Sequence, residues 1–302
     1  MGERGRLSFG IKTSQAGIGY DAISRLWHEA DSIEVIEHAW LWDHMVPLRG
    51  PASTPALEAW TLLAALAAQT RRLRLGVIVT NNQLRRPALL AKMAATVDVI
   101  SGGRLEFGIG AGAGLTAQLD EALLEIVRRE YDGYGVPIVS AAEAGGALAE
   151  ALALIRRMWT DPEPFDFDGS YYQLRGTVCE PKPVSRPHPP ITIGGRGEKL
   201  TLRIVAEHAD IWNCPAGTPE EFSHYNAILD QHCAAIGRDP DQIARSVQLI
   251  LRDDNFAGAR DQVQGFIDAG VNHVVLAPLS PSRSLADLAT EVIDPVLARA
   301  GG

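Results

Sequence analysis

"PALLAKMAATVDVISGGRLEFGIGAGAG", residues 87–114, carries two periodicities in succession. The first part, 87–100, opens with proline where a first helical turn accepts it and stops before Gly102 and Gly103, so it predicts a helix. The second part, 104–110, is a short apolar run that predicts a buried strand. The strand leads into further glycines, and glycine after a strand lets backbone N–H groups come close to a ligand. A helix feeding a buried strand is the repeating unit of an α/β fold.

The same alternation runs outward in both directions. Strands are expected within 7–14, 32–45 (ending near Trp42), 73–80, 104–110, 189–195, 210–214, 245–253 and 271–279. Helices are expected over 22–30, 57–70, 87–100, 198–209, 219–237, 259–270 and 286–300, and over most of 113–160 with a break at 131–137. The stretch 165–184 interrupts the rhythm with alternating aromatics and Asp168-Gly169, the pattern of a hairpin. Eight strand–helix units in 302 residues predict a closed (β/α)8 TIM-type barrel rather than an open doubly wound sheet. Residues 1–302 read as one domain with an insertion around 161–188, because no linker divides the chain.

Composition narrows the class. Hydrophobic residues make up 46% and the net charge is −9, with no basic stripe, so a nucleic-acid partner is not expected. No long uncharged apolar window suggests a membrane span, and the first residues lack a signal-peptide pattern, so the expected location is the cytoplasm. Cys179, Cys214 and Cys233 are odd in number and far apart, which suggests free thiols rather than a disulfide framework. The apolar helices at 57–70 and 87–100 suit a homodimer face and core packing equally well.

In a βα barrel the chemistry gathers at the C-terminal strand ends. These deliver Asp43 and His44 after the second strand, Val79 to Asn82 after the third, and Gly110, Ala111 and Gly112 after the fourth. They also deliver Gly194, Gly195, Arg196 and Gly197 after the fifth, and Asn213 and Cys214 after the sixth. Histidine suits proton transfer near neutral pH, although an Asp-His pair by itself reads as easily as a cap and a solvated ring. The glycine run fails the dinucleotide fingerprint: its spacing is alternate, and Glu130, at about the right distance, falls on a helix. Gly194 to Gly197 precede a helix expected to start near Glu198, which with Arg196 would make an anion site. His28, His208, His224 and His232 are expected at the surface and His273 in the core. No histidine spacing indicates a metal.

Three segments together, 85–112, 40–45 and 180–213, resemble the luciferase-like monooxygenase superfamily, in the expected order along nearly the whole chain. The likeness is greatest to the branch that uses the deazaflavin coenzyme F420; other branches use reduced FMN and O₂. The resemblance implies a luciferase-like TIM barrel. It implies His44 as the catalytic acid/base, with Asp43 beside the ring. It implies a bulge at Ile78 and Val79, often with a non-prolyl cis peptide, continued by Thr80 and Asn81. It implies cofactor contacts from Gly110, Ala111 and Gly112, and a phosphate turn at Gly194, Gly195, Arg196 and Gly197. In one respect the chain departs from the pattern: many relatives place an aromatic or acidic residue where this one has Ala113-Gly114-Leu115. The function implied is hydride transfer between F420 and a small organic substrate, with sugar phosphates disfavoured for want of cationic contacts. The alternatives are a reduced-FMN monooxygenase and a noncatalytic flavin-binding barrel.

Overall fold

The computed structural model describes residues 6–48, 50–115, 121–251, 255–278 and 284–300. At its centre are eight strands: β1 (Ser8–Lys12), β2 (His38–Leu41), β3 (Arg74–Val77), β4 (Leu105–Gly110), β5 (Ile191–Gly194), β6 (Ile211–Cys214), β7 (Ala244–Leu251) and β8 (His273–Pro278). Each pairs in parallel with the next, and β8 returns to β1, so the sheet closes into a (β/α)8 barrel. A short extension, Thr80–Asn81, resumes after β3 and also pairs with β4. The predicted strand ends at 252–253 and 279, and residues 116–120 of the long helical stretch, lie outside the described residues.

Helices α1 (Tyr20–Ser32), α2 (Ala59–Gln69) and α3 (Pro87–Ser101) follow the first three strands. Between β4 and β5 come α4 (Glu121–Gly133), α5 (Ala141–Thr160) and an antiparallel hairpin of Phe165–Asp168 with Gln173–Thr177, as the aromatic alternation predicts. Then α6 (Thr201–His208), α7 (Pro219–Ala235) and α8 (Phe256–Asp268) follow β5, β6 and β7. Helix α6 starts at Thr201 and not near Glu198; its cap residue Leu200 makes no side-chain cap bond. Among the described residues no helix is long and apolar enough to cross a membrane, and no His, Cys, Asp and Glu cluster could hold a metal. The three cysteines are free and buried.

Residues one apart on a strand face opposite sides, and β4 shows what that does here. Leu105, Phe107 and Ile109 are fully buried toward the helices, with Phe107 packed edge-on against Trp159 of α5 at 5.0 Å between ring centroids. The barrel interior is filled mainly from β2. A Cβ on Gly10 of β1 would lie 1.8 Å from His38 Nδ1, and one on Gly76 of β3 would lie 2.5 Å from the Trp40 ring. Two large inward side chains on one strand therefore require glycine on both neighbouring strands.

The base of the barrel holds an ionisable cluster. Glu106 pairs with Arg74, and His273 Nε2 stands 3.6 Å from Glu106 Oε2. His273 stacks on His38 with ring centroids 4.0 Å apart, and Trp40 Nε1 donates to His38 Nδ1 at 2.7 Å. Burial would raise the Glu106 pKa, but the nearby His273 and the Arg74 charge hold it far below the usual carboxylate range. Burial, aided by His273, pushes His38 well below the ordinary imidazole value. A cavity of about 360 Å³ opens below, lined in part by Arg74, Glu106 and His273. His273 is thus a core residue as expected. His208 is not the surface residue expected: it is half-buried, and burial lowers its pKa to about 4.

Candidate active site

At the opposite end, the C-terminal strand ends enclose a cavity of about 710 Å³. Of the residues singled out in the sequence, Asp43, His44, Ile78, Val79, Thr80, Asn81, Gly110, Ala111, Gly112 and Gly194 line it. Gly195, Arg196 and Gly197 follow on the same loop but do not line it.

The back wall comes from the end of β3. The Ile78–Val79 peptide is cis, as the resemblance implies. The Val79 side chain lies between two glycines: a Cβ on Gly110 would come within 2.8 Å of it, and one on Gly194 within 2.9 Å. The wall is therefore low and apolar, a surface that suits a flat ring. The glycines of 102–114 have separate causes. Gly102 caps α3 in the left-handed region at φ 68°, and Gly108 makes room for the Val77 carbonyl. Only Gly110 and Gly112, with Ala111 between them, face the cavity. Gly112 has φ 79° and is hemmed in by Asn81, Gln83 and Tyr131, so a side chain there is excluded twice over.

Asp43 is a clamp. Arg85 reaches its two oxygens at 2.6 and 2.9 Å, and the Asn81 backbone N–H donates to Oδ2 at 2.9 Å. Arg85 also pairs with Glu58. Burial would lower the Arg85 pKa; the hydrogen bonds and charges of Asp43 and Glu58 outweigh it and raise the value. The strand-end aspartate thus fixes the bulge to the start of α3.

His44 has a partner that no local reading of the sequence could supply. Glu130 of α4, nearly fully buried, accepts from the Met45 backbone N–H and lies 3.2 Å from His44 Nδ1. The neighbouring Arg129 donates to the Pro47 carbonyl, so α4 grips the whole turn after β2. A carboxylate at Nδ1 keeps the hydrogen there and leaves Nε2 to face a bound molecule, acceptor when neutral and donor when protonated. Tyr131 closes the same wall: its hydroxyl accepts from Asn81 Nδ2 at 2.8 Å and from the Ala113 N–H at 2.9 Å. Burial raises its pKa.

The turn expected to bind phosphate is less prepared than the sequence suggests. Thr201 crowds both Gly195 and Gly197, where a Cβ would lie 2.8 and 2.7 Å away. The Gly195 N–H already donates to the Asn213 carbonyl, and Arg196, half exposed, faces Glu221 at 3.6 Å. The sequence reading also passed over Lys12 and Gln248, which line the cavity from β1 and β7. Lys12 ends β1, so the strand-end rule reaches it, whereas Gln248 is a polar residue inside an apolar strand.

A closed barrel with a cavity at its C-terminal strand ends and a His–Glu pair at the rim defines an α/β-barrel protein of the TIM type. The luciferase-like monooxygenase family model matches residues 11–295, and the chain belongs to that family. It is 30% identical over 223 residues to a phthiodiolone/phenolphthiodiolone dimycocerosates ketoreductase of Mycobacterium sp. (strain JLS), covering 72% of this chain but 53% of that protein. Among solved structures, an F420-dependent secondary alcohol dehydrogenase in complex with an F420-acetone adduct superposes with a TM-score of 0.82 at 18% identity, covering 96% of this chain and 99% of that one. A riboflavin lyase with modified FMN and substrate riboflavin gives a TM-score of 0.74 at 14% identity, covering 98% and 92%.

Proposed function

We propose that this protein is an F420-dependent oxidoreductase that transfers hydride between the deazaflavin and a small carbonyl compound or its alcohol. The observation that carries the reading is the His44–Glu130 pair beside the low apolar wall of Val79, Gly110 and Gly194. The solved relative with an F420-acetone adduct and the ketoreductase relative support the same chemistry.

The residues fit a deazaflavin. Ile78, Val79 and Gly110 to Gly112 would back the ring, with Asp43, Thr80 and Asn81 fixing that wall. Gly194 to Gly197 would receive the phosphate tail, Arg196 exchanging Glu221 for it. When bound, the deazaflavin supplies the carbon that gives or takes hydride. The chain does the rest. His44 Nε2 holds the proton exchanged with the substrate oxygen, Glu130 fixes the ring of His44, and the apolar wall keeps water away.

The FMN-bearing relative motivates the second reading, a reduced-FMN monooxygenase. Titration of the pure protein with F420 and with FMN, followed by single-turnover oxidation of reduced F420 by acetone or cyclohexanone, tests the first. Tight F420 binding with ketone-dependent oxidation is expected. FMN binding alone, with O₂-dependent turnover, would transfer the assignment to the second reading.

A further inference from the structure

We propose that Lys12 is the specificity-determining contact of the cavity, the donor that selects a substrate whose oxygen carries or gains negative charge. The proposal deepens the oxidoreductase reading and rests on it for the word substrate. Lys12 lies at the C-terminal end of β1 and lines the cavity. Its ammonium donates to Gln248 Oε1 at 2.7 Å, and no carboxylate among the described residues lies within ion-pair distance of it. The cavity carboxylates are already engaged, Asp43 by Arg85 and Glu130 by His44 and Met45. A cation with donors to spare therefore lines a cavity whose wall also carries apolar side chains such as Trp42, Ile78 and Val127.

Lys12 is also held in place from below. Gln248 Nε2 donates to Asn213 Oδ1 at 2.6 Å, and Asn213 Nδ2 to Ser246 Oγ at 3.0 Å. Ser246 Oγ lies 2.9 Å from His273 Nδ1, and His273 faces Glu106. Lysine can only donate, so both amide orientations are fixed by it, and Ser246, which accepts from Asn213, meets His273 in turn. This row runs down the barrel axis with a cation at its head and a carboxylate at its foot. A buried row of this kind orients Lys12 but is itself used up, so the remaining ammonium hydrogens are those that meet the bound molecule.

The fitting ligand is an apolar carbonyl compound. As hydride from the bound cofactor adds to the carbonyl carbon, the C=O π pair moves onto oxygen, which Lys12 meets and which then takes the proton held on His44. The carbon gains two electrons and the cofactor loses two. A carboxylate is a stable stand-in for that oxygen.

Burial pushes the Lys12 pKa down to about 8, so the contact can be switched off. The titratable groups sharing the cavity wall are Asp43 and His44 from the end of β2 and Glu130 and Tyr131 from α4; the wall residues from β3, β4, β5, β7 and β8 carry none. Calorimetric titration of hexanoate and of hexanamide, at pH 7.5 and at pH 10, reads the effect. At pH 7.5 the wild type is expected to prefer hexanoate by about tenfold or more, the gain of a charge-assisted hydrogen bond. That preference should fall below about twofold at pH 10, where a lysine titrating near 8 is neutral. Lys12→Met should remove it at both pH values, and Lys12→Arg should keep it at both. No preference in the wild type, or one that survives in Lys12→Met, overturns the assignment. The F420 titration separates the two proposals. Failure to bind F420 with the Lys12-dependent preference intact sinks only the cofactor reading. Normal F420 binding with no preference sinks only Lys12.

Discussion

The two ends of the barrel both carry a histidine beside a buried glutamate, and they differ in what those groups have left to give. At the mouth, Glu130 spends both oxygens on the turn after β2, and His44 keeps Nε2 toward an open cavity. At the base, Glu106 is matched by Arg74 and His273, and His38 is locked between Trp40 and His273. The mouth pair is fastened by backbone and free on one side. The base cluster is held by its own members and reaches the mouth only through the row from His273 to Lys12. Residues of one chemical type are thus left open to a cavity at one end and packed into the structure at the other. The difference lies in exposure: the His44 side chain is 33% accessible and that of His273 is 7%.

The comparison breaks most visibly at His44. His44→Ala should lower turnover by about 10²–10⁴-fold, the range of general acid–base catalysis, with the melting temperature little changed. Glu130→Gln should lower it by at least about tenfold, because the ring loses its orienting charge. Steady-state kinetics at saturating cofactor, beside a thermal melt, checks both; near-normal turnover in His44→Ala would remove the proton-transfer role.

Glu106→Ala should do the reverse. Removing one member of a buried charged cluster costs about 3–5 kcal/mol of stability. Urea unfolding should show that loss, while kcat of the surviving folded fraction stays within about threefold. A stable Glu106→Ala protein with collapsed turnover would place the base in the chemistry.

Acid sharpens the contrast next. The folded-state pKa of His38 is lowered, so the unfolded chain binds the extra proton first, and stability drops as pH falls below about 6.5. Glu106 is also lowered, so its contribution is present above about 4.3 and is lost on further acidification. Denaturant midpoints between pH 7 and 2 should therefore fall in two stages, one below about pH 6.5 and one below about pH 4.3, and Glu106→Gln should lack the second.

The smallest effect is expected at Arg196. Half exposed and facing Glu221, it should lose less than about 1 kcal/mol of cofactor affinity on change to alanine. A larger loss in a fluorescence titration would show that exchanging Glu221 for phosphate is worth more to the cofactor than an exposed ion pair supplies.

The barrel was legible because strands buried on both faces read as short apolar runs, and His44 because it ends one of them. Lys12 was within reach of the same rule. Glu130 was not, since its partner lies 86 residues away and only the packing of α4 on the turn after β2 brings them together. The base cluster was hidden for a related reason: Glu106 and His38 sit singly inside apolar runs, and nothing local shows that they point at one another.

The seam between β4 and β5 has a kinetic consequence. Its pairing of Phe107 with Ile191 forms only after the intervening excursion, which carries α4 and hence Glu130, has returned, and the ring is complete only when β8 also meets β1. Contacts so distant in sequence form late, because the loop must be ordered before they reward it. In refolding from urea, the far-ultraviolet helical signal should therefore recover before turnover does, with turnover following the closure of both seams.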